Sequence, residues 1–598
     1  MIWFWCFAFS LFFFSISIIF AIVRAKTKYK SGRILDSTKV LFIGVIVASI
    51  VLFIPLYNSA FHKYNCGILE TVLISIHNMI RIFIVDGEFE FVTKNLKGLS
   101  SELFRCYTVL FSILFVTAPI LTFRFAMSFF KNLSAYKQFI MHYWHNVFVF
   151  SELNEKSLAL ATSLSKKPKK RLIVFTGVFD GEKDQDYGLV EKAKELGAIC
   201  FKKDISSIDF SFHSNNTSLS FFTFCDDELK NVNYALSVIE KYKNRKNTNL
   251  YISSSKPETE MILTGAINKT DDELRIKVRR INEVQSLIFQ NLYENGYEKI
   301  FDSAFDDKSG IKKINAIVLG MGQYGTEMIK ALSWFCQMDG YLLEINAFDI
   351  DCNAEQKFAS SCPELMKFSG VLDIEGENKY TVNIHSNIDV DLALFDDFIL
   401  SLPRTTYAFV ALGDDEKNIS VSIKLRSLFE RLGYNTQIQS IVHSSEKKEA
   451  LVGTTNFKGQ EYNIDFIGDV NFVYSEEVVL NSAVEAQALK RHIKWGNESD
   501  FWKYNYNYKS SMASAIHYEM KVLCGIPGIE KKPEDRSHNE LWGIRILEHC
   551  RWNAYMRSEG YVYGGTLEKS GRNDLAKTHN CLVPFSELPL NEQEKDDN

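Results

Sequence analysis

Three stretches near the amino-terminal end are almost wholly apolar over the length of a membrane-spanning helix, residues 2–23, 40–57 and 103–125. At about 1.5 Å per residue each is long enough to cross a ~30 Å hydrocarbon layer. A fourth stretch, residues 68–85, is apolar but interrupted by Glu70, His77, Asn78 and Arg81, which predicts a re-entrant or interfacial helix. Beyond Tyr143-Trp144 the pattern changes to short β-branched and aromatic runs alternating with helical segments, as expected for a parallel sheet with crossover helices. The pattern occurs twice. Strands are predicted at 147–150, 171–176, 198–201, 218–224 and 249–253, and again at 315–319, 343–348, 381–385, 407–412 and 437–443. Each fourth strand ends in an acidic step, Asp226-Asp227 and Asp414-Asp415, which points to one fold used twice. From about Trp495 the chain turns aromatic and helical. The expected organisation is an α-helical transmembrane region (1–130), two α/β domains (131–310 and 311–494) and a small, mostly α-helical domain (495–598).

Charge orients the membrane part. Arg24, Lys26, Lys28, Lys30, Arg33 and Lys39 stand against Asp36 between the first two spans, so the positive-inside bias places that loop in the cytoplasm and the N-terminus outside. Three spans then leave the large C-terminal part cytoplasmic, with Arg124, Lys131 and Lys137 next to the membrane. A secretory signal is the alternative for the first span, but a basic start and a small-residue cleavage site are missing. The expected location is the inner membrane, as a multi-pass protein. A net charge of -5 offers no basic field for nucleic acid, and the 11 cysteines show no metal-site spacing, which suits reduced thiols.

An outer helix, a short amphipathic half-helix and an inner helix form the plan of a pore-loop channel. Asp86, Glu88 and Glu90 would then present an acidic ring to cations in an oligomer; a solvated external loop is the equal alternative. There is no TVGYG-like filter, so potassium selectivity is not implied.

In the second α/β region, Gly320-Met321-Gly322-Gln323-Tyr324-Gly325 directly follows a strand and opens a helix. Glycines there allow a tight turn and close approach of a phosphate to free N–H groups at the helix N-terminus, although they also serve simply to pack helix on strand. Asp349 or Asp351, ending the next strand, suits ribose hydroxyls, and Asp414 ends the fourth strand. The expected ligand is a nucleotide: NAD(H), ATP or ADP, or a nucleotide second messenger. The corresponding turn of the first region, Glu152 to Ser157, has no glycine and two glutamates, so no dinucleotide is expected there. The arrangement over roughly residues 146–490 resembles the regulator-of-conductance-of-potassium (RCK) family, also called TrkA-N domains. That resemblance implies tandem Rossmann-like units that gate a pore on binding nucleotides or ions, in a dimer or tetramer.

The helix around Glu548, Arg551 and Trp552, the Gly560-Tyr561 pair after it and the element from Leu582 to Pro589 look like the ryanodine-receptor repeat, a small helical domain. By residue type Trp552, Tyr561 and Tyr563 suit base stacking and Arg551, Arg572 and His579 suit phosphates, with Glu548 beside them; an aromatic core with solvated arginines is the plainer alternative. No acid, base or metal cluster of an enzyme is evident, and His549-Cys550 lack further ligands. The expectation is therefore a homo-oligomeric nucleotide-gated ion channel or pore-forming effector, by analogy one answering a nucleotide messenger in bacterial antiviral defence. A membrane-anchored nucleotide receptor without a pore and a NAD-dependent membrane oxidoreductase are the alternatives.

Overall fold

The computed structural model describes residues 2–28, 35–61, 67–84, 86, 89–96, 98–167, 170–178, 184–268, 275–306, 308, 310–371, 379–451, 453, 458–480, 482–564 and 571–597. The chain divides into two compact units, residues 1–138 and 139–598.

The first unit consists of helices α1 (Ile2–Lys28), α2 (Leu35–Phe61), α3 (Ile68–Phe83), α4 (Phe89–Leu96) and the 41-residue α5 (Ser101–Met141), which continues beyond this unit. Three helices, α1, α2 and α5, contain windows long and apolar enough to cross a membrane, Ile2–Phe20, Leu41–Asn58 and Ser101–Phe123. Their contacts are helix on helix: Ser10 Oγ donates to Ala48 O at 2.8 Å, and Val45, Leu52 and Leu56 of α2 share one buried cluster with Tyr107, Phe111 and Leu114 of α5. Helix α3 occupies the interrupted stretch. It buries Thr71, Ser75 and Asn78, whose side chains bond to carbonyls one turn back, and exposes Ile68, Leu69, Leu73 and Ile80. Polar atoms inward and aliphatics outward suit apolar surroundings, because each hydroxyl or amide is already satisfied within its own helix.

The second unit is built on two sheets of the same topology. The first contains β1 (Asn146–Phe150), β2 (Arg171–Phe175), β3 (Ile199–Cys200), β4 (Leu219–Thr223), β5 (Thr248–Ser253) and β6 (Ile276–Ile281), all parallel, in the order β3-β2-β1-β4-β5-β6. The second contains β7 (Phe305–Asp306), β8 (Lys312–Leu319), β9 (Tyr341–Asp349), β10 (Tyr380–Ser386), β11 (Tyr407–Val410), β12 (Gln437–Ile441) and β13 (Ile464–Ile467). Its order is β10-β9-β8-β11-β12-β13, with β7 antiparallel on β8. Both follow the 3-2-1-4-5-6 order of Rossmann-like sheets. The ten strands predicted from the sequence are present within a few residues, and the two sheets add β6, β7 and β13 to them. In β6 the residues Lys277, Arg279 and Arg280 interrupt the apolar run, as an edge strand permits.

The lobes are interlocked. Helix Glu283–Gly296 leaves the first sheet and packs on helix Gln323–Phe335 of the second, with Phe289 and Trp334 rings 5.5 Å apart. After β13 the chain returns to the first sheet, where Arg171 makes a bidentate pair with buried Glu476 at 2.8 and 2.9 Å, Tyr474 packs on Phe224, and Arg279 reaches Glu485 at 3.3 Å. Helices Glu498–Lys503, Asn505–Leu523 and His538–Ser558 follow, then a three-stranded sheet of β14 (Val562–Tyr563), β15 (Arg572–Asn573) and β16 (Thr578–His579). One apolar cluster runs from Phe148 through Trp334 to Leu582, so the anticipated domains share a core.

Arg171→Ala removes the bidentate partner of Glu476, only 3% exposed, and leaves exposed Lys167 at 3.7 Å, a more distant cation. The loss expected is on the order of 3 kcal/mol, and Arg171→Leu with Glu476→Leu should recover most of it, because the cost lies in an uncompensated buried charge. Denaturant unfolding of the detergent-solubilised chain measures both; equal stability of the single variant and wild type would refute the assignment.

Candidate functional site

The turn after β8 is shaped by two glycines that packing requires and one that it does not. Gly320 has φ +85, and a Cβ there would lie 2.3 Å from Ala411 O; a Cβ on Gly325 would lie 1.7 Å from Gly320 O. Gly322 has φ -67, accessible to any residue, and a Cβ on it would meet nothing within 4 Å. Gly322 is also the N-cap of helix Gln323–Phe335, which has no side-chain cap; the first intrahelical bond is Thr326 N–H to Gly322 O. The N–H groups of the first turn, with the positive end of the helix dipole, therefore open onto space beside a residue lacking a side chain.

That opening adjoins a cavity of about 230 Å³ between Met321 and Thr326 on one side and Asp349, Asp351, Lys357 and Phe358 on the other. Asp349 accepts from Met321 N at 2.5 Å and from Asp351 N at 2.7 Å, which fixes its carboxylate against the glycine turn. Asp351 pairs with Lys357 at 2.5 Å and accepts from Asn353 N; these bonds hold its carboxyl below the usual range. Gln323 is exposed, and Tyr324 is half-buried with its ring 5.4 Å from that of His443. Asp414 stands apart: exposed, it caps helix Asp415–Leu432 through Lys417 N at 2.8 Å and does not line the cavity. Thr326, Lys357, Phe358 and Ser361 escaped sequence reasoning. Ala354, Lys357, Phe358 and Ser361 all line the cavity from helix Ala354–Ser361 or its last residue, at the i, i+3, i+4, i+7 spacing of one helix face, and that spacing was readable.

The corresponding turn of the first sheet is closed by its own side chains. Asn154 caps helix Glu155–Ser165 in a reciprocal capping box with Ser157, both bonds 2.9 Å, and its Nδ2 donates to Phe224 O. Two of the N–H groups that an anion would use, those of Asn154 and Ser157, are thus already engaged there.

No protein-family model matches the chain, and comparison with curated proteins gives no match.

The candidate residues of the C-terminal region separate into an inner and an outer group. Glu548 and Arg551 are turned into the core: Glu548 accepts from Arg551 at 2.8 Å, Ser514 at 3.0 Å and Lys521 at 2.7 Å, joining helix Asn505–Leu523 to helix His538–Ser558. Burial pushes the Glu548 carboxyl up, but Arg551, Lys521, His517 and Arg491 outweigh it and hold the group ionised. Trp552, Tyr561, Arg572 and His579 gather near Tyr506. Arg572 lies 3.8 Å over the Tyr506 ring and pairs with Asp574, Tyr561 donates to Asp574, and Trp552 meets His579 edge-on at 4.8 Å. Burial, with Arg572, pushes the His579 imidazole down to about 4, so it is neutral at pH 7. Tyr563 is 60% exposed and stands beside His579 in the β14–β16 pairing, and its N–H donates to Glu364 at 2.9 Å.

The C-terminal region also grips the cavity wall. Cys362 Sγ donates to Ser558 O at 3.1 Å, and Arg557 stacks 3.9 Å from the Phe368 ring. A Cβ on Gly560 would stand 2.7 Å from the carbonyl of Ser361, a cavity-lining residue. Among the described residues no group of three or more His, Cys, Asp or Glu is placed to hold a metal.

Gly320→Ala is expected to cost at least about 2 kcal/mol and Gly322→Ala less than about 0.5 kcal/mol, because only the first forces a left-handed backbone and a clash. Thermal unfolding compares them directly; equal losses would refute the division of roles.

Burial also pushes the Lys521 amine down to about 8, whereas the unfolded chain keeps it near 10.5. Between these values the unfolded state binds more protons, so this group's contribution to stability rises with pH from about 8 to 10.5 and falls on the way down. Lys521→Met should flatten that slope, and Glu548→Gln should destabilise by about 3 kcal/mol at pH 7. Unfolding curves at pH 7, 8.5 and 10 read both effects.

Proposed function

We propose that the protein is a nucleotide-gated membrane channel or pore-forming effector, with tandem RCK-type Rossmann domains as its sensor and a ryanodine-receptor-like repeat bracing the sensor. The supporting observation is Gly322: the chain's own packing gives no reason for glycine there, whereas a phosphate lying against the backbone does. In this reading the phosphate sits on the first-turn N–H groups of helix Gln323–Phe335, and the remaining acceptor sites of Asp349 receive a ribose hydroxyl. NAD(H), ATP or ADP, or a nucleotide messenger all meet that description. The ligand gates by binding the open and closed forms of a homo-oligomer with different affinities. The assembly sits in the inner membrane, with helix α3 as a re-entrant or interfacial element and the second unit in the cytoplasm. A defence role against phage would follow from the messenger, by analogy alone.

A second reading, a nucleotide receptor without a pore, is favoured by one contact. Asp86 is paired with Arg81, both nitrogen–oxygen distances being 3.2 Å, which neutralises one member of the expected acidic ring. Glu88 lies outside the described residues, and of Glu90 only the backbone, in α4, is described.

Nucleotide should co-purify with the wild type, as read by mass spectrometry, and fall at least tenfold in Gly322→Asp, where a carboxylate meets the phosphate. Survival of the ligand in that variant would remove the glycine turn as the site. In liposomes the co-purifying nucleotide should open ion flux that Glu88→Lys with Glu90→Lys alters; flux indifferent to both selects the receptor.

A further inference from the structure

The first sheet carries a second cavity, at the end opposite its capped turn. Strand register arranges one face in three rows. The uppermost holds Phe150, Phe222, Tyr251 and Arg279, the middle one Phe148, Ser220, Asn249 and Lys277, and the lowest begins with Asn146 and Ser218, joined by Asn146 Oδ1 accepting from Ser218 N at 3.0 Å. The upper part is apolar and covered: Phe222 and Tyr251 stack at 4.8 Å, and the returning chain closes over them through Arg171–Glu476 and Arg279–Glu485. Below, the cover ends. Parallel sheets are normally buried on both faces. Here a groove of about 480 Å³ remains, bounded by Asn146, Ser218, Asn249, Arg275, Lys277 and Arg279. Among the described residues every one lining it is an asparagine, a hydroxyl residue or a cation, with no carboxylate and no apolar side chain.

The three cations are unequally committed. Arg279 is held by Tyr251 OH at 2.9 Å, by Glu485 and by the Trp502 ring at 4.4 Å, yet its Nε is buried without a hydrogen-bond partner. Lys277 pairs with Glu498 at 3.1 Å, but both side chains are about half exposed, the kind of pair that solvent and salt weaken and that an incoming anion readily replaces. Arg275 is exposed and has no carboxylate partner among the described residues. Donors without matching acceptors in a concave polar site call for an oxyanion.

We propose that this groove binds a phosphorylated small molecule, its phosphate taken by Arg275 and Lys277 and its polar body by the carboxamides of Asn146 and Asn249. The site is separate from the glycine turn of the second sheet and stands whether or not that turn binds nucleotide. The volume lies in the range of ordinary small-molecule pockets. A free nucleotide and a lipid headgroup share the required chemistry.

The test uses full-length protein in neutral phosphatidylcholine nanodiscs, titrated calorimetrically with inorganic pyrophosphate, ATP and glycerol phosphate. Pyrophosphate should bind and weaken as salt rises. Arg275→Ala with Lys277→Ala should weaken it at least tenfold, two charge-assisted bonds being lost. Arg275→Lys should recover part of the loss, Trp502 fluorescence should report occupancy until Trp502→Phe removes it, and Gly322→Asp should retain this site within about twofold. ATP binding more tightly than glycerol phosphate assigns the groove to a free nucleotide, and the reverse to a lipid headgroup. Absence of pyrophosphate binding, an unchanged affinity in the double variant, or loss of all binding in Gly322→Asp would overturn the proposal.

Discussion

The packing of Trp334 is the constraint on which the fold of the second unit rests. It lies in the helix behind the glycine turn, is 1% exposed, and stands between Phe289 of the helix leaving the first sheet and Tyr555 of the C-terminal helix, with ring centroids at 5.5 and 6.3 Å. Two parts of the chain distant in sequence are thereby fixed to one helix whose other end faces the cavity. Interiors packed at crystal-like density transmit displacement instead of absorbing it. The helix terminus is thus solvent-facing on one side and immobilised by its neighbours on the other, which is what a preorganised anion site requires.

The same fold supports opposite chemistry at its two turns. Where Asn154 and Ser157 cap each other, the first helix engages two of its terminal N–H groups with its own side chains; where Gly322 has no side chain, the second leaves them to the surroundings. The difference is a few atoms. It shows why topology alone does not locate function.

The membrane-type helices and the inner strands were legible in the sequence because their apolar runs are long or strictly bounded. The edges were not. Strand β6 alternates Lys277 and Arg279 with Ile276 and Val278, and an edge strand with one polar face resembles a loop to any reading that looks for continuous apolarity. Gly320, Gly322 and Gly325 were readable as a set, but the separation of two packing glycines from one open position depends on Ala411 and on the Gly320 carbonyl, which the turn's own spacing does not reveal. Arg551 and Glu548 misled for a physical reason: charged side chains in an aromatic helix suggest a surface, whereas Lys521, 27 positions before Glu548, and Arg551 together make that carboxylate tolerable in the core.

Helix Ala354–Ser361 is a cavity wall along one face and, immediately past its end, a seat for the C-terminal region, with Cys362 bonded to Ser558, 196 positions later. Genetics on this protein would therefore not respect the linear map. Suppressors restoring a crippled glycine turn are expected to cluster around Arg557 to Tyr563 as well as beside the turn, since repositioning that seat re-spaces the wall.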